Sequence, residues 1–353
     1  MKAPDFWWRP PGLAAALLGP AALAYGAAAA ARMKLLGVDP GMPVVCIGNV
    51  TVGGSGKTPT ALAVAALLRG MGRTPAFLLR GYRGRLPGPI RVDPGAHRYD
   101  EVGDEALLLA RHGATIVARD RPAGARLCRA LGADVVVMDD GLQNPSLRKT
   151  LSVAVFDGGC GIGNGRVLPA GPLRGPLHAQ WPRIDAGLVV GDGEPGHAIA
   201  RTLSDRGMPA LRARLEPDAA TRDGLRGRRV LAFAGIGRPS KFFATLAECG
   251  AEIVERRAFP DHHSYSAAEG SALADAADAL SAILVTTEKD AVRLAPLVGA
   301  EPRLAALATL PVTLVFATPD DIIRLLSQAL AARQPGPLGN GLSSRRRTAS
   351  GEA

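Results

Sequence analysis

Short apolar runs alternate with helical patterns along most of the chain. Between Met42 and Val190, each run is bounded by turn-forming residues, as is typical of strands buried in a parallel sheet. Segments in which apolar residues recur every three or four positions separate several of these runs and predict helices. The alternation predicts a doubly wound α/β core. The predicted strands are Val44–Ile47, Ala76–Leu79, Thr115–Ala118, Val135–Met138, Val153–Phe156 and Leu188–Val190.

The alternation restarts after a charged, loop-like stretch near Glu216–Arg228. It predicts a second, smaller α/β domain, with the active site in the cleft between the two domains. Ser240 is predicted to cap a helix that runs to Cys249. The other predicted elements are strands at Val230–Ala234, Ile253–Arg256, Ile283–Thr286 and Val312–Phe316 and helices at Ala267–Leu280, Asp290–Leu297 and Asp320–Ala332.

The N-terminal segment Gly12–Ala31 carries no charge, is mostly alanine and has Pro20 near its middle. Trp7 and Trp8 precede it, where interfacial aromatic residues flank membrane segments. Its length matches the roughly 20 residues that a spanning helix needs. A cleaved signal peptide, a spanning or partly inserted helix and a soluble alanine-rich helix are the three interpretations. The signal peptide is disfavoured, because a nucleotide-type loop follows about 20 residues later and nucleotides of this kind are cytoplasmic. Of the other two interpretations, membrane attachment is favoured over the soluble helix.

Four segments are therefore expected. They are a membrane-associating segment at 1–35, a nucleotide-binding α/β domain at 36–215, a smaller α/β domain at 216–334 and a disordered basic tail at 335–353.

The formal net charge is +10, from 42 Lys and Arg against 32 Asp and Glu. Such an excess suits nucleic acid, a phosphate-bearing substrate or an acidic membrane surface. No basic run interleaved with aromatic residues occurs in the body of the chain, so no nucleic-acid partner is predicted. The four cysteines show neither C-x-x-C nor metal-ligand spacing, which indicates a reducing compartment and no zinc site.

A glycine-rich loop follows the predicted strand Met42–Val50 and precedes a helical pattern through Leu68. A strand, a glycine-rich turn ending in Gly-Lys-Thr and a helix form the context of a P-loop, whose backbone N–H groups close on phosphate oxygens. Lys57 is expected at the β- and γ-phosphates and the Thr58 hydroxyl at Mg²⁺. Thr51 departs from the usual pattern, which begins with glycine. The predicted ATP-binding residues are Gly53, Gly54, Ser55, Gly56, Lys57 and Thr58.

A second half of the nucleotide site is predicted downstream. The apolar run Ala133–Met138 ends in Asp139-Asp140. A carboxylate at the end of such a strand is where P-loop proteins hold Mg²⁺. With Thr58, the two aspartates form the predicted metal site.

Two further clusters carry ionisable groups. Phe259–Tyr265 includes His262 and His263 after a strand, and the alternative interpretation is a Pro-Asp turn with solvated histidines. Thr286–Asp290 closes a strand and opens a helix, and a helix cap with acids in its first turn is an equally simple interpretation.

Several blocks of residues occur together in one order. They are Gly48-Asn49 with Val52–Pro59, Arg80–Tyr82, Gly103–Glu105, Asp139–Gln143, Leu168–Arg174, Phe259–His262 and Thr287–Asp290. In this order the chain resembles the tetraacyldisaccharide 4′-kinases of lipid A biosynthesis, from about Met42 to Ala332, and the apolar N-terminal segment fits as well.

The resemblance implies a reaction. ATP, with Mg²⁺, would phosphorylate the 4′-hydroxyl of a tetraacylated glucosamine disaccharide 1-phosphate at the cytoplasmic face of the bacterial inner membrane. The partners would be this lipid and the membrane surface, with no obligate protein partner.

The resemblance also implies roles for residues. Asp104 would be the general base, with His262 as its partner and Lys57 as the cation at the transferred group. Without the resemblance, Asp104 would be interpreted as a helix N-cap. Arg80, Tyr82 and Gln143 are the predicted substrate contacts, although a solvated basic loop is an equal alternative for the arginines around Tyr82.

Two positions depart from the family pattern. Asn144 stands where the family commonly has His, and Gly175 stands where it commonly has Glu. A membrane-associated P-loop switch ATPase is the rival function, but Val52 replaces the first Lys of its Lys-Gly-Gly-x-Gly-Lys-Thr motif. A metallochaperone or GTPase would require metal-binding clusters or a guanine motif, and the sequence has neither.

Overall fold

The computed structural model describes residues 3–332. The predicted basic tail at 335–353 lies outside the described residues.

The described strands form two sheets. In chain order they are Val44–Gly48 (β1), Pro75–Leu79 (β2), Ile90–Arg91 (β3), Thr115–Val117 (β4), Val135–Asp139 (β5), Leu151–Asp157 (β6), Ala186–Val190 (β7), Ala210–Pro217 (β8), Arg229–Ala234 (β9), Glu252–Ala258 (β10), Ile283–Thr286 (β11), Ala308–Thr309 (β12) and Val312–Phe316 (β13).

Helices cover both sheets. In chain order the α-helices are Leu13–Leu17 (α1), Gly19–Met33 (α2), Lys57–Gly70 (α3), Tyr99–Val102 (α4), Asp104–Ala110 (α5), Arg121–Ala130 (α6), Leu177–Gln180 (α7), Glu194–Asp205 (α8), Ala219–Leu225 (α9), Pro239–Glu248 (α10), Ala267–Ala279 (α11), Glu288–Leu294 (α12) and Pro319–Ala331 (α13). Short 3₁₀ helices lie at Asp5–Trp8, Trp181–Arg183, Ala295–Leu297 and Pro302–Ala306.

The larger sheet has nine strands in the order β13-β8-β7-β6-β1-β5-β2-β4-β3. Its strands run parallel except at the edges, where β3 and β13 pair antiparallel with their neighbours. Alternate side chains of β1 enter opposite cores, since a strand has a period of two. Val45 and Ile47 pack in the core that includes residues of α3, whereas Val44 and Cys46 pack in the core that includes residues of α6. The predicted α/β class is confirmed.

The smaller sheet has the order β10-β9-β11-β12, with every pair parallel. We call this sheet, helices α9–α12 and the segments that connect these elements the small unit, and the remainder of the described chain the large unit. Helix α12 lies at the junction of the two units, because Val292 belongs to the same core as α3 and α5 of the large unit.

The C-terminal end of the described chain returns to the large unit. The sequence pattern assigned Val312–Phe316 to the smaller domain, whereas this strand pairs antiparallel with β8 in the larger sheet. The apolar face of α13, with Ile322 and Leu326, packs in the core of α3, which explains the return.

Two other local predictions differ from the structure. Helix α9 occupies the stretch predicted to be a loop, and its N-cap Asp218 accepts a hydrogen bond from the Thr221 N–H. Ser240 lies inside α10 and does not cap it, because the helix begins at Pro239, a residue favoured in a first turn.

The apolar N-terminal segment forms two helices, α1 and α2, that meet at Leu18. A Cβ at Gly26 would lie 3.3 Å from the Pro176 ring, so α2 lies close against the segment before α7. The Trp7 indole donates to the Pro169 carbonyl at 3.0 Å. Among residues 3–332, no helix has the length and apolarity required to cross a bilayer.

Two contacts join the units near the glycine-rich loop. Asp157, at the end of β6, forms ion pairs with Arg238 at 2.6 Å and with Lys241 of the small unit. A Cβ at Gly237 would lie 3.3 Å from the Gly54 nitrogen, so the loop after β9 approaches the glycine-rich loop.

Candidate active site

The glycine-rich loop, residues 51–58, connects the end of β1 to the start of α3. Gly53 has φ +111° and Gly56, the N-cap of α3, has φ +89°, conformations that L side chains rarely adopt. Cβ atoms at Gly53 and Gly54 would meet nothing within 4 Å, so the loop has open space beside it. An open loop of backbone N–H groups at the start of a helix is suited to binding an anion.

Asp139 ends β5 and lies beside the loop. The Thr58 hydroxyl donates to Asp139 Oδ2 at 3.2 Å, and the carboxylate is 2% exposed. Its other oxygen, Oδ1, is buried and has no hydrogen-bond partner among residues 3–332, and the same is true of the Ser55 hydroxyl. Burial, with Glu105 and Asp140, raises the pKa of Asp139 to about 7.

These features fit a hard cation. A buried carboxylate oxygen without a partner and an adjacent hydroxyl are ligands that Mg²⁺ accepts. Among residues 3–332, no group of three or more His, Cys, Asp or Glu residues could hold a metal alone. Phosphate and water oxygens would therefore have to complete the coordination, as is usual for Mg²⁺ at phosphate sites.

Asp140 faces two cations. Arg174 Nη1 lies 2.9 and 3.0 Å from its two oxygens, and Lys57 Nζ lies 3.9 Å from Oδ1. Burial raises the pKa of Asp140, but Lys57 and Arg174 outweigh it and lower the pKa below its ordinary value. Arg174 also donates to the Thr51 carbonyl at 2.9 Å, which ties this ion pair to the glycine-rich loop.

Asp104 and His262 meet across the junction of the two units. His262 Nδ1 lies 2.9 Å from Asp104 Oδ2, although the residues are 158 positions apart in the chain. Asp104 is the first residue of α5, whose N-cap is Gly103, so its side chain does not act as the helix cap. Burial raises the pKa of Asp104, but His262, Lys289 and Arg293 outweigh it and hold the pKa well below the ordinary range.

Lys289 links the two carboxylate centres. Its ammonium group lies 2.8 Å from Glu105 Oε1. Burial lowers the pKa of Lys289, but Glu105, Asp104 and Asp139 outweigh it and raise the pKa. Because Lys289 interacts electrostatically with both Asp104 and Asp139, the Asp104–His262 pair and the carboxylate beside the glycine-rich loop belong to one charged cluster.

Three residues of this region have a left-handed backbone without being glycine. They are Arg83 (φ +62°), Asp140 (φ +55°) and His262 (φ +53°). Such conformations carry a cost and concentrate at functional sites. The Arg83 guanidinium donates to the His262 carbonyl, so two of the three are in direct contact.

The predicted substrate residues are placed differently from one another. Tyr82 is exposed, and its ring centroid lies 5.3 Å from that of His262. Arg80 is exposed on the same segment. The Gln143 amide nitrogen donates to the Asn49 carbonyl at 2.6 Å and to Gln180 Oε1 at 2.8 Å, so this group supports the loop from within the protein.

The two departures from the family pattern have local explanations. Asn144 Oδ1 accepts from the Ser146 N–H and hydroxyl at 2.8 and 2.6 Å, which forms a turn. A Cβ at Gly175 would lie 2.9 Å from the methyl group of Met33, so the glycine lets this flexible side chain at the end of α2 pack close to the backbone.

Sequence reasoning overlooked four charged residues of this cluster, namely Glu105, Arg174, Lys289 and Arg293, although the first three lie inside the quoted blocks. Arg293 had a weaker signal. It lies four residues after Lys289 on the same face of α12, in a helix with buried neighbours on both sides.

The LpxK family model, described as tetraacyldisaccharide-1-P 4′-kinase, matches residues 14–331. The chain belongs to this family. Tetraacyldisaccharide 4′-kinase of Methylobacterium sp. (strain 4-46) is 61% identical over 340 residues, covering 96% of this chain and 100% of the relative. The enzyme of the same name from Methylobacterium nodulans is 57% identical, covering 96% of this chain and 98% of the relative.

The fold agrees with the family. A crystal structure of LpxK from Aquifex aeolicus, described as an "apo" form in complex with ATP, superposes with a TM-score of 0.67 at 25% identity. The match covers 90% of this chain and 99% of that one. The predicted resemblance and enzyme class are thus confirmed, and the switch ATPase is set aside.

Proposed function

We propose that the chain transfers the γ-phosphoryl group of ATP to the 4′-hydroxyl of a tetraacylated disaccharide 1-phosphate, in lipid A biosynthesis at the cytoplasmic face of the inner membrane. Family membership supports the reaction. The observation that carries the assignment to this site is the shared cluster of Asp139, Lys289 and Asp104. It brings a loop suited to phosphate and a candidate proton acceptor into one region.

The loop at 51–58 is the proposed P-loop. In this proposal Gly53, Gly54, Ser55 and Gly56 present backbone N–H groups to the phosphates and Lys57 neutralises the transferred group. Thr58, Asp139 and Asp140 would hold Mg²⁺, supported by the unpartnered Asp139 oxygen. When bound, the ion would supply charge neutralisation at the phosphate oxygens.

Asp104 and His262 are the proposed proton-transfer pair. As the 4′-oxygen forms its bond to the γ-phosphorus, the bond from phosphorus to the bridging oxygen breaks and ADP leaves. The hydroxyl proton passes to the pair, with Asp104 as the base and His262 as its hydrogen-bonded partner. Tyr82, exposed beside this pair, and Arg80, exposed on the same segment, are the proposed substrate contacts, whereas the bonding of Gln143 favours a supporting role.

In this proposal the two units supply different residues of the site. The large unit supplies the proposed P-loop, the metal site and Asp104. The small unit supplies His262 and Lys289, so the reaction site lies at the junction between them.

The N-terminal helices are the proposed membrane-docking surface. Large apolar side chains are exposed there, including Leu13 (84%), Leu17 (81%) and Leu23 (77%). Apolar exposure of this size on a surface helix, in a chain of net charge +10, supports peripheral binding to an anionic bilayer.

The reaction is tested by transfer of labelled γ-phosphate in detergent micelles, using the disaccharide 1-phosphate and a matched acceptor that lacks the 4′-hydroxyl. We expect labelled lipid only with the first acceptor and little ATP hydrolysis without it. Steady hydrolysis that ignores the acceptor would contradict the proposal.

Membrane docking is tested by flotation with vesicles of phosphatidylglycerol and phosphatidylethanolamine. Leu13→Ser with Leu17→Ser should reduce binding at least about tenfold, since two buried leucines are worth several kcal/mol. The matched control is Leu131→Ser with Leu215→Ser, which alters two exposed leucines of the large sheet region. Equal binding by both double variants would contradict this surface.

A further inference from the structure

A closed set of hydrogen bonds surrounds the proposed proton-transfer pair. Arg293 Nη1 donates to Asp104 Oδ2 at 2.9 Å, the oxygen that His262 Nδ1 also meets at 2.9 Å. Arg293 Nη2 and the His262 backbone N–H both donate to the Gly235 carbonyl, each at 2.9 Å. Arg293 and His262, which both contact Asp104 Oδ2, are thus bonded to the same Gly235 carbonyl in the small unit, which fixes them relative to each other.

Asp290 also belongs to this set of hydrogen bonds. It is fully buried and ion-pairs with Arg293. It also accepts from the Gly235 N–H at 2.9 Å and from the Tyr265 hydroxyl at 2.7 Å. A buried carboxylate with this many donors is rigid, so the Arg293 guanidinium has few alternative positions.

Burial makes the contact between Arg293 and Asp104 strong. Their side chains are 2% and 4% exposed, so water screens their attraction little. Within the described part of the chain, the other Asp104 oxygen accepts only from the Glu105 N–H, at 2.9 Å. Arg293 and His262 therefore fix Oδ2 and leave acceptor capacity on Oδ1 and on His262 Nε2.

We propose that Arg293 is a positioning residue for phosphoryl transfer, which acts by holding the Asp104 carboxylate against His262 from the small unit. The inference rests on the proposed function, because it assigns Arg293 a role through the proposed base. Since Arg293 and His262 come from the small unit and Asp104 from the large one, the pair is assembled only where the units are docked.

The charged groups facing Asp104 give this role a pH signature. They are His262 on the loop after β10, Lys289 and Arg293 on α12, and the neighbouring Glu105. Removing the Arg293 charge raises the pKa of Asp104, since a nearby cation favours the carboxylate form. Because Asp104 acts as the carboxylate, the acid limb of kcat moves to higher pH.

The first test compares Arg293→Met with wild type in the transfer assay across pH. We expect kcat to fall about 10²-fold, as for loss of general base catalysis, with KM for ATP within twofold. The acid limb should move to higher pH. Arg303→Met is the matched control, because Arg303 pairs with three carboxylates of the small unit and does not contact Asp104.

Arg293→Lys separates charge from geometry. We expect an unshifted acid limb and a kcat only about tenfold below wild type, because the ammonium restores the charge without the two-pronged contact. If Arg293→Met does not fold, Arg293→Lys alone tests the proposal. A kcat that is about tenfold lower, with an unshifted acid limb, supports the proposal, and a wild-type kcat overturns it.

A double-variant cycle shows whether Arg293 acts through Asp104. In an Asp104→Asn background, Arg293→Met should lower the residual rate by less than about threefold, because coupled residues are not additive. An undiminished effect there, or wild-type kcat and pH profile in Arg293→Met, would overturn the proposal. Absence of transfer by the wild type would instead contradict the proposed function itself.

Discussion

The two buried aspartates of the site, Asp104 and Asp139, are in opposite electrostatic states. Asp104 meets His262 and Arg293 through one oxygen and a backbone N–H through the other, and its pKa is held well below the ordinary range. Asp139 has one hydroxyl donor and one oxygen without a partner, and burial together with Glu105 and Asp140 raises its pKa to about 7.

The difference shows which carboxylate has its partners supplied by the protein and which one would gain them from bound ligands. The protein itself completes the surroundings of Asp104, with donors from two units. At Asp139, burial and the carboxylates of Glu105 and Asp140 outweigh the attraction of Lys57 and Lys289, and Mg²⁺ would supply further positive charge in the proposed reaction. Pre-organisation at the first carboxylate and incompleteness at the second are both expected of a phosphotransferase.

The largest expected effect concerns the cation that faces the acid pair. Lys57→Met should lower the rate of transfer by about 10³-fold, because a charge aimed at the transferred group is lost. Steady-state transfer to the lipid acceptor measures it. A loss below tenfold would mean that Lys57 does not serve the transferred phosphate.

Ligand binding should stabilise the incomplete site. At 100 times its dissociation constant, ATP with Mg²⁺ should raise the free energy of unfolding by about 2.7 kcal/mol. The Mg²⁺-dependent part should disappear in Asp139→Asn, as measured by thermal unfolding with and without EDTA. An equal Mg²⁺ effect in this variant would exclude Asp139 as a ligand.

The two aspartates should differ in their contribution to stability without ligand. Asp104→Asn should cost about 2 kcal/mol, because Arg293 and His262 lose a charged acceptor. Asp139→Asn should cost little, because burial and the carboxylates of Glu105 and Asp140 already disfavour the charge that it removes. Urea unfolding at neutral pH, without nucleotide or metal, compares them, and an equal loss in both variants would break the distinction.

The contribution of Asp104 to the free energy of unfolding should also depend on pH. Its folded-state pKa is lowered, so its stabilisation is fully present above the unfolded pKa of about 4. It is lost as the pH falls towards the folded value. The stability gap between wild type and Asp104→Asn should therefore narrow below about pH 4.

The smallest expected effect concerns the ion pair between Lys241 of the small unit and Asp157 of the large unit. Lys241→Met should cost about 0.5 kcal/mol, since Lys241 is 46% exposed and such pairs are weak. Transfer should stay within twofold of wild type. A loss as large as that of Arg293→Met would mean that docking of the units, and not the charge at Asp104, limits the reaction.

The glycine-rich loop of the proposed nucleotide site was predictable because its residues are local in sequence. A buried strand, closely spaced glycines and a Gly-Lys-Thr ending are recognised within a few positions, and Asp139 ends the neighbouring strand β5. The same holds for the α/β class, since strands buried on both faces produce continuous apolar runs.

The proposed proton-transfer pair, Asp104 and His262, depends on long-range contacts that the periodicity of the sequence does not reveal. Asp104 and Arg293 are 189 positions apart, and α12 alone resembles a short capped helix. The place of β13 in the larger sheet was mispredicted for a related reason. A strand's pattern predicts its burial, while its neighbour depends on where the next helix, α13, finds an apolar surface.

The most direct test measures ATP binding and lipid phosphorylation on the same preparations of Asp104→Asn and Asp139→Asn. We expect Asp104→Asn to bind ATP with Mg²⁺ within twofold of wild type yet to transfer phosphate about 10³-fold more slowly. We expect Asp139→Asn to lose the Mg²⁺ dependence of ATP binding as well as transfer. Parallel loss of binding in both variants, or wild-type transfer by Asp104→Asn, would contradict the separation of a ligand-completed phosphate site from a pre-assembled proton-transfer pair.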